Sequence, residues 1–275
     1  MTINKILCPT DFGNAANNAV EYAAQFAKKV GATLTLMHVE PATVLLVADM
    51  NRSLTTPTLE LKSRQLEDQC AEINKTFKIV CNYDLDQTSL ENAVLLKTSG
   101  EHAYDLIVAG TNGMDNFFQF YFGTNSYYVA KDAACPTLII PEGCEYKDIT
   151  DIAFASVYHE GEELLLQQLK DFIGIFNPHL YVLHISRNES PVGEEIYRSF
   201  CNLIEETLDN NGQIEFKRVV NEDEVEGINS FTDKTKIDLL AMSADHHGFL
   251  YRLFHKDIIK NITSVSNQPV LIFHK

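Results

Sequence analysis

The chain has 275 residues, 45% of them hydrophobic, with 38 acidic against 22 basic residues and a formal net charge of −16. That length exceeds the usual single-domain size of about 100–150 residues, so two domains are expected, each with ample apolar residues for a core. The acidic balance excludes a nucleic-acid backbone or an anionic membrane as the main partner, and no apolar run approaches the roughly 20 residues of a membrane span.

The first residues run directly into an apolar strand, so no cleavable leader is expected. Strands are predicted near 3–8, 33–39, 77–83, 105–110 and 137–141, with helices near 14–30, 58–76, 88–102 and 124–134 between them. The first helix carries the clearest stripe: Ala16, Val20, Ala23, Ala24, Ala27 and Val30 recur at helical spacing, and Gly31 ends it. Glu142–Asp148 follows a strand-ending Pro141 and reads as a linker. Beyond it, strands are predicted near 151–155, 180–186, 213–220, 238–242 and 270–274, and helices near 161–176, 192–210, 223–235 and 256–266. Apolar strands alternating with helices indicate parallel, doubly wound α/β sheets.

One plan is used twice. Thr33–Val39 matches His179–Ile185, with His38 and His184 separated by 184 − 38 = 146 positions. Asp105-Leu-Ile-Val matches Asp238-Leu-Leu-Ala, and Pro136 matches Pro269, both at 238 − 105 = 133. The offset drops by 13, so the second copy is shorter in its middle, where the first carries Pro41–Pro57. The domains are placed at 1–144 and 149–275. Six cysteines without Cys-x-x-Cys spacing read as buried free thiols in a reducing cytoplasm, where the sequons at Asn74, Asn188 and Asn261 carry no glycan.

Ligands on open parallel sheets bind outside the carboxyl ends of strands, where strand order reverses. Two such ends carry unusual residues: Pro9-Thr10-Asp11 after strand one, and Ala109-Gly110-Thr-Asn-Gly113 after strand four. After nine intervening residues, Gly123-Thr124 opens a predicted helix. Glycines let backbone N–H groups approach an anion, and a helix start adds unpaired donors. Neither the Gly-x-Gly-x-x-Gly nor the Walker spacing is present.

The Gly-x2-Gly-x9-Gly-Thr spacing of Gly110, Gly113, Gly123 and Thr124, together with Pro9-Thr10-Asp11, resembles the universal stress protein family in tandem form over nearly the whole chain. The resemblance implies two five-strand sheets of order 3-2-1-4-5, the adenine nucleotide alpha-hydrolase-like arrangement. It implies ATP or AMP in the first domain, with Mg²⁺ carried on the phosphates. Asp11, beside Pro9 and Thr10, would hold the ribose hydroxyls or adenine edge, and the backbone of Val39 would meet the adenine. Ala109, Gly110 and Gly113 would let the chain pass close to ribose and phosphate. Gly123, Thr124, Asn125 and Ser126 would hold the phosphates. Asp11 also has the ordinary role of a helix cap open to it. Pairing of the two fifth strands, Thr137–Pro141 with Val270–His274, would make an intramolecular pseudo-dimer. A homodimer of whole chains and an unidentified protein partner are further expectations.

The second copy departs from the motif. Ser243, His246, Lys256 and Asp257 stand for the glycines and Thr124, and Val157 stands for Asp11, so its nucleotide site is expected to be lost. His246, His247 and His255 read as polar loop residues rather than metal ligands. The aromatic run Phe117–Phe122 reads as packing against the protein itself, with a partner surface or a lid over the base as alternatives. Asp115 is the one acidic side chain between Gly113 and Gly123, and no Lys or Arg accompanies it there. Regulatory nucleotide binding in a stress response is therefore expected rather than turnover. Slow ATP hydrolysis or phosphotransfer and a nucleotide-free interaction scaffold are the alternatives.

Overall fold

A computed structural model describes residues 2–41, 57–101, 103–111, 129, 133–156, 163–186, 191–208, 213–243 and 268–274. The first half contributes β1 (Lys5–Pro9), α1 (Asn14–Val30), β2 (Thr33–Val39), α2 (Pro57–Phe77), β3 (Cys81–Asp86), α3 (Leu90–Thr98), β4 (Leu106–Thr111) and β5 (Thr137–Pro141). The second contributes β6 (Asp151–Ala155), α4 (Glu163–Phe176), β7 (His179–Ser186), α5 (Pro191–Leu208), β8 (Ile214–Val220), α6 (Glu224–Thr235), β9 (Leu239–Ser243) and β10 (Val270–Phe273). The predicted helices at 124–134 and 256–266 fall almost wholly outside the described residues.

All ten strands form one sheet in the order β3-β2-β1-β4-β5-β10-β9-β6-β7-β8, so each half has the expected 3-2-1-4-5 order. Every pairing within a half is parallel; β5 and β10 meet antiparallel, Leu138 opposite Leu271. Strand residues alternate between two cores, as the two-residue period of a strand requires. Ile6 and Cys8 of β1 join a core with α1, α2, α4 and α5, while Leu7 faces a core with α3 and α6. Helices on both faces explain why β4, β5, β9 and β10 are apolar runs and not alternating ones. No helix among the described residues is long and apolar enough to cross a membrane.

The two halves share details as well as order. Asp105 Oδ2 accepts the N–H groups of Asn4 and Lys5 at 2.8 and 2.9 Å, tying the start of β4 to the start of β1. Asp238 Oδ2 does the same for Thr150 and Asp151 at 2.9 and 3.0 Å. The offset between halves is 179 − 33 = 146 at β2 and 191 − 57 = 134 at α2. The extra residues of the first half therefore lie between β2 and α2, as read from the sequence.

Three expectations shift, one of them the helix predicted at 88–102, which ends at Thr98 with Ser99 extended. β3 is predicted at 77–83 but runs Cys81–Asp86. Phe77 ends α2, and Lys78 turns the chain with a left-handed φ of 58°. The apolar Ile79 and Val80 lie in the connection, while the edge strand itself is largely polar. The stripe on α1 is also wider than predicted, because Ala15, Ala19, Tyr22 and Phe26 are buried too. Phe26 stacks on Phe172 and packs against Phe176 of α4, at centroid distances of 6.4 and 5.6 Å. A second apolar face on α1 thus meets the other half. The linker residues 142–148 lie on that helix as well: Tyr146 packs edge-on to Tyr22, and Asn18 donates to the carbonyls of Pro141 and Cys144.

Candidate functional site

The turn from β1 into α1 is held by its own side chains. Thr10 N–H donates to Met37 O at 2.8 Å, continuing the β1–β2 ladder one residue past Pro9. Thr10 Oγ1 accepts the N–H of Phe12 at 3.1 Å, and Asp11 Oδ1 accepts that of Gly13 at 2.8 Å. Asp11 therefore organises the turn before the helix. Gly13 is the cap residue of α1 and has no side-chain cap bond. Phe12 takes a φ of 67°, an uncommon conformation for a bulky residue. It is held there from three sides. Asn17 Nδ2 donates to Phe12 O at 3.0 Å, His38 lies 4.9 Å from its ring, and the Lys62 ammonium sits 4.6 Å above that ring.

This turn borders a cavity of about 600 Å³ at the carboxyl ends of β1, β2 and β4. Its lining includes Pro9, Thr10, Asp11, Val39, Ala109 and Gly110, which the sequence singled out. The structure brings these six together. Gly113, Gly123, Thr124, Asn125 and Ser126 lie outside the described residues, as do Asp115 and Phe117–Phe122. The lining also includes residues that sequence reasoning missed: Asn14 and Ala15 from the start of α1, His38, Ser89–Glu91 before and in α3, Thr111 and Glu142. The loop after β3 ends on the same edge as those after β1 and β4, and that topology was the signal available for Ser89–Glu91.

The polar groups of this cavity are partly uncommitted. The N–H groups of Asn14, Ala15 and Ala16 precede the first intrahelical bond of α1, from Asn17 N–H to Gly13 O at 2.9 Å. Asp11 Oδ2 makes no hydrogen bond among the described residues. His38 Nδ1 donates to Thr10 O at 2.7 Å, because a carbonyl can only accept. His38 Nε2 and Thr111 Oγ1 are buried without hydrogen-bond partners among the described residues, Nε2 lying 3.5 Å from Glu40 Oε2. Asp11, Glu91 and Glu142 are the charged lining residues, and none of the described lining residues is Lys or Arg.

Gly110 has a packing reason of its own. A Cβ there would lie 2.6 Å from the carbonyl carbon of Ala15 and closer still to its oxygen. The glycine admits α1 to the end of β4, and its role as a contact for a ligand comes second.

The equivalent end of the second half is built differently. Ser243 stands at the end of β9 where Gly110 stands in β4, and is 3% exposed. His184 Nδ1 donates to Ser156 O at 3.0 Å, repeating the His38–Thr10 bond. Burial holds the His184 imidazole below its ordinary value against that carbonyl's opposing effect, and Arg218 lowers it further. Val157, His246, His247, His255, Lys256 and Asp257 lie outside the described residues. No group of three or more His, Cys, Asp or Glu is placed to hold a metal ion among the described residues.

With this fold and cavity in place, the comparisons with known proteins fall into line: the chain belongs to the universal stress protein family, whose model matches residues 2–141. Universal stress protein MJ0577 of Methanocaldococcus jannaschii is 25% identical over 154 residues, covering 50% of this chain and 93% of that protein. A universal stress protein from Archaeoglobus fulgidus has the same fold across both halves, with a TM-score of 0.72 at 14% identity, covering 100% of this chain and 99% of that one. A putative universal stress protein from Pseudomonas aeruginosa gives 0.56 at 13% identity, covering 99% and 93%.

Proposed function

We propose that the chain is a regulatory protein that binds an adenine nucleotide, ATP or AMP, in the cavity of its first half. The observation that carries this reading is the convergence of Asp11, Val39, the start of α1 and Gly110 on one cavity of about 600 Å³. That volume is within the ordinary range of small-ligand sites, about 300–1,000 Å³. Asp11, with Pro9 and Thr10, holds the ribose through the carboxylate oxygen left free by the turn, and the backbone of Val39 meets the base. Ala109 and Gly110 flank the sugar. Gly113, Gly123, Thr124, Asn125 and Ser126 supply donors to the phosphates. With Asp11, Glu91 and Glu142 as the charged groups among the described lining residues, phosphate charge is carried in with Mg²⁺ or met by backbone N–H groups.

In the same reading, the domains are 1–144 and 149–275, and the second has no nucleotide site. Occupancy of the first biases a surface read by another protein, in the cytoplasm, with whole chains free to pair as homodimers. Six unbridged cysteines support a reducing compartment. The absence of Lys or Arg between Gly113 and Gly123 supports binding over turnover. The nucleotide-free scaffold remains the second reading for one reason: the packing of Gly110 on Ala15 accounts for that motif glycine without a ligand.

Titration calorimetry with Mg²⁺–ATP and with AMP tests the proposal. One site per chain is expected, weakened about ten- to a hundredfold in Asp11→Ala, the cost of removing a hydrogen bond to a charged group. Gly123→Val is expected to weaken ATP more than adenosine. Absence of binding to the folded wild type leaves the scaffold reading.

A further inference from the structure

Away from the cavity, α2 and β3 hold two thiols in contact. Cys70 on α2 and Cys81 at the start of β3 are 4% and 6% exposed, and their sulfurs are 3.3 Å apart. The surrounding bonds fix this approach. Asn74, one helical turn after Cys70, accepts the N–H of Cys81 at 2.7 Å and donates to its carbonyl at 3.2 Å. Residues at i and i+4 share one face of a helix, so α2 grips Cys81 by backbone and side chain together. Pairing of Cys81 with Leu34 of β2 prevents the strand from sliding away. The S–H of Cys81 donates to Cys70 Sγ. That bond lowers the Cys70 thiol against the effect of burial and, with burial, pushes the Cys81 thiol up. Cys135, by contrast, is pushed up to about 12 by burial.

We propose that Cys70 and Cys81 are a reversible redox modification site, joined in a disulfide on oxidation by hydrogen peroxide. The Cys70 thiolate attacks one peroxide oxygen, the O–O bond breaks, and Cys70 becomes a sulfenic acid while the departing hydroxide takes up a proton as water. The Cys81 sulfur then displaces the sulfenic hydroxyl, whose departure with the Cys81 proton gives a second water. Two thiols lose two electrons and two protons, and the peroxide is reduced to two waters. The sulfurs close to about 2.05 Å, a movement of roughly 1.2 Å. The bond fastens α2 to β3. Through Gln69, which donates to Asn17 at 3.2 Å, α2 also supports the Phe12 turn beside the cavity.

The test uses the full chain, reduced and then treated with hydrogen peroxide, followed by alkylation in denaturant, intact mass measurement and peptide mapping. The expected result is a loss of two hydrogens, one cross-linked peptide pair containing Cys70 and Cys81, and alkylation of the other four cysteines. Dithiothreitol restores all six thiols. In Cys70→Ser the two-hydrogen loss disappears and Cys81 is alkylated. The proposal is overturned if the loss persists in Cys70→Ser. It is equally overturned if both thiols stay alkylatable at peroxide levels that oxidise an exposed-thiol peptide in the same tube.

Discussion

At Gly110 the absence of a single methyl group decides how closely α1 can approach β4. Alanine there would meet the Ala15 carbonyl, and that backbone cannot rotate away as a flexible side chain would. Gly110→Ala is expected to cost about 3 kcal/mol, seen as a lower urea midpoint with or without nucleotide. Unchanged stability with lost binding would instead return the glycine to a purely ligand-facing role. Asp11 was legible in the sequence as a residue of interest, because it stands in Pro9-Thr10-Asp11 at the carboxyl end of the first apolar strand. Its division of labour between two oxygens was not, since that depends on Phe12 adopting a left-handed φ. His38 was visible as a mark of the repeat, but its place in the cavity lining follows from the β1–β2 register.

Among the elements, α1 makes contacts for which pattern alone gave no warning. Its predicted stripe described the face on its own sheet, and Phe26 belongs to a second face that exists only because α4 packs beside it. Phe26→Ala is expected to lower stability by about 4 kcal/mol, measured by urea unfolding; a change under about 1 kcal/mol would show the contact between halves to be loose. β3 was displaced in prediction because its apolar neighbours mark the turn and its own residues are those of a polar edge.

The tie between β9 and β6 has a pH signature. Burial opposes the charge of Asp238, but Lys147, the Thr150 hydroxyl and two backbone N–H groups outweigh it and hold the carboxyl below the usual range. A depressed carboxyl contributes fully above its unfolded value, near about 3.9, and the contribution fades as the pH falls through the folded value. Asp238→Asn is therefore expected to cost about 2 kcal/mol at neutral pH, with the gap to wild type starting to narrow only below about pH 4. A gap that stays constant into acid would contradict this assignment.

At the scale of the molecule, the seam between β5 and β10 converts two five-stranded sheets into one of ten strands. Both seam strands are buried throughout. A fragment ending at residue 144 would expose the β5 edge, and open edges recruit partners. Sedimentation equilibrium of that fragment is expected to show a dimer, and a folded monomer would mean that α1 and the linker, not the seam, hold the halves together. The repeat was legible because apolar segments recur in the same order, whereas the strand order and this pairing followed from the family resemblance carried by the glycine spacing and Pro9-Thr10-Asp11. The site was legible only in part. Its glycine spacing and Asp11 stood out, whereas Asn14, Ser89–Glu91 and Glu142 reach the cavity through the topology alone.

The central claim is that a nucleotide occupies the first half and not the second. A crystal structure grown with saturating Mg²⁺–ATP addresses it directly. The account predicts one nucleotide per chain, its base at Val39, its ribose at Asp11 and its phosphates towards Gly123 and Thr124. An empty first-half cavity, or a nucleotide seated beside Ser156 and Ser243 in the second half, would contradict it.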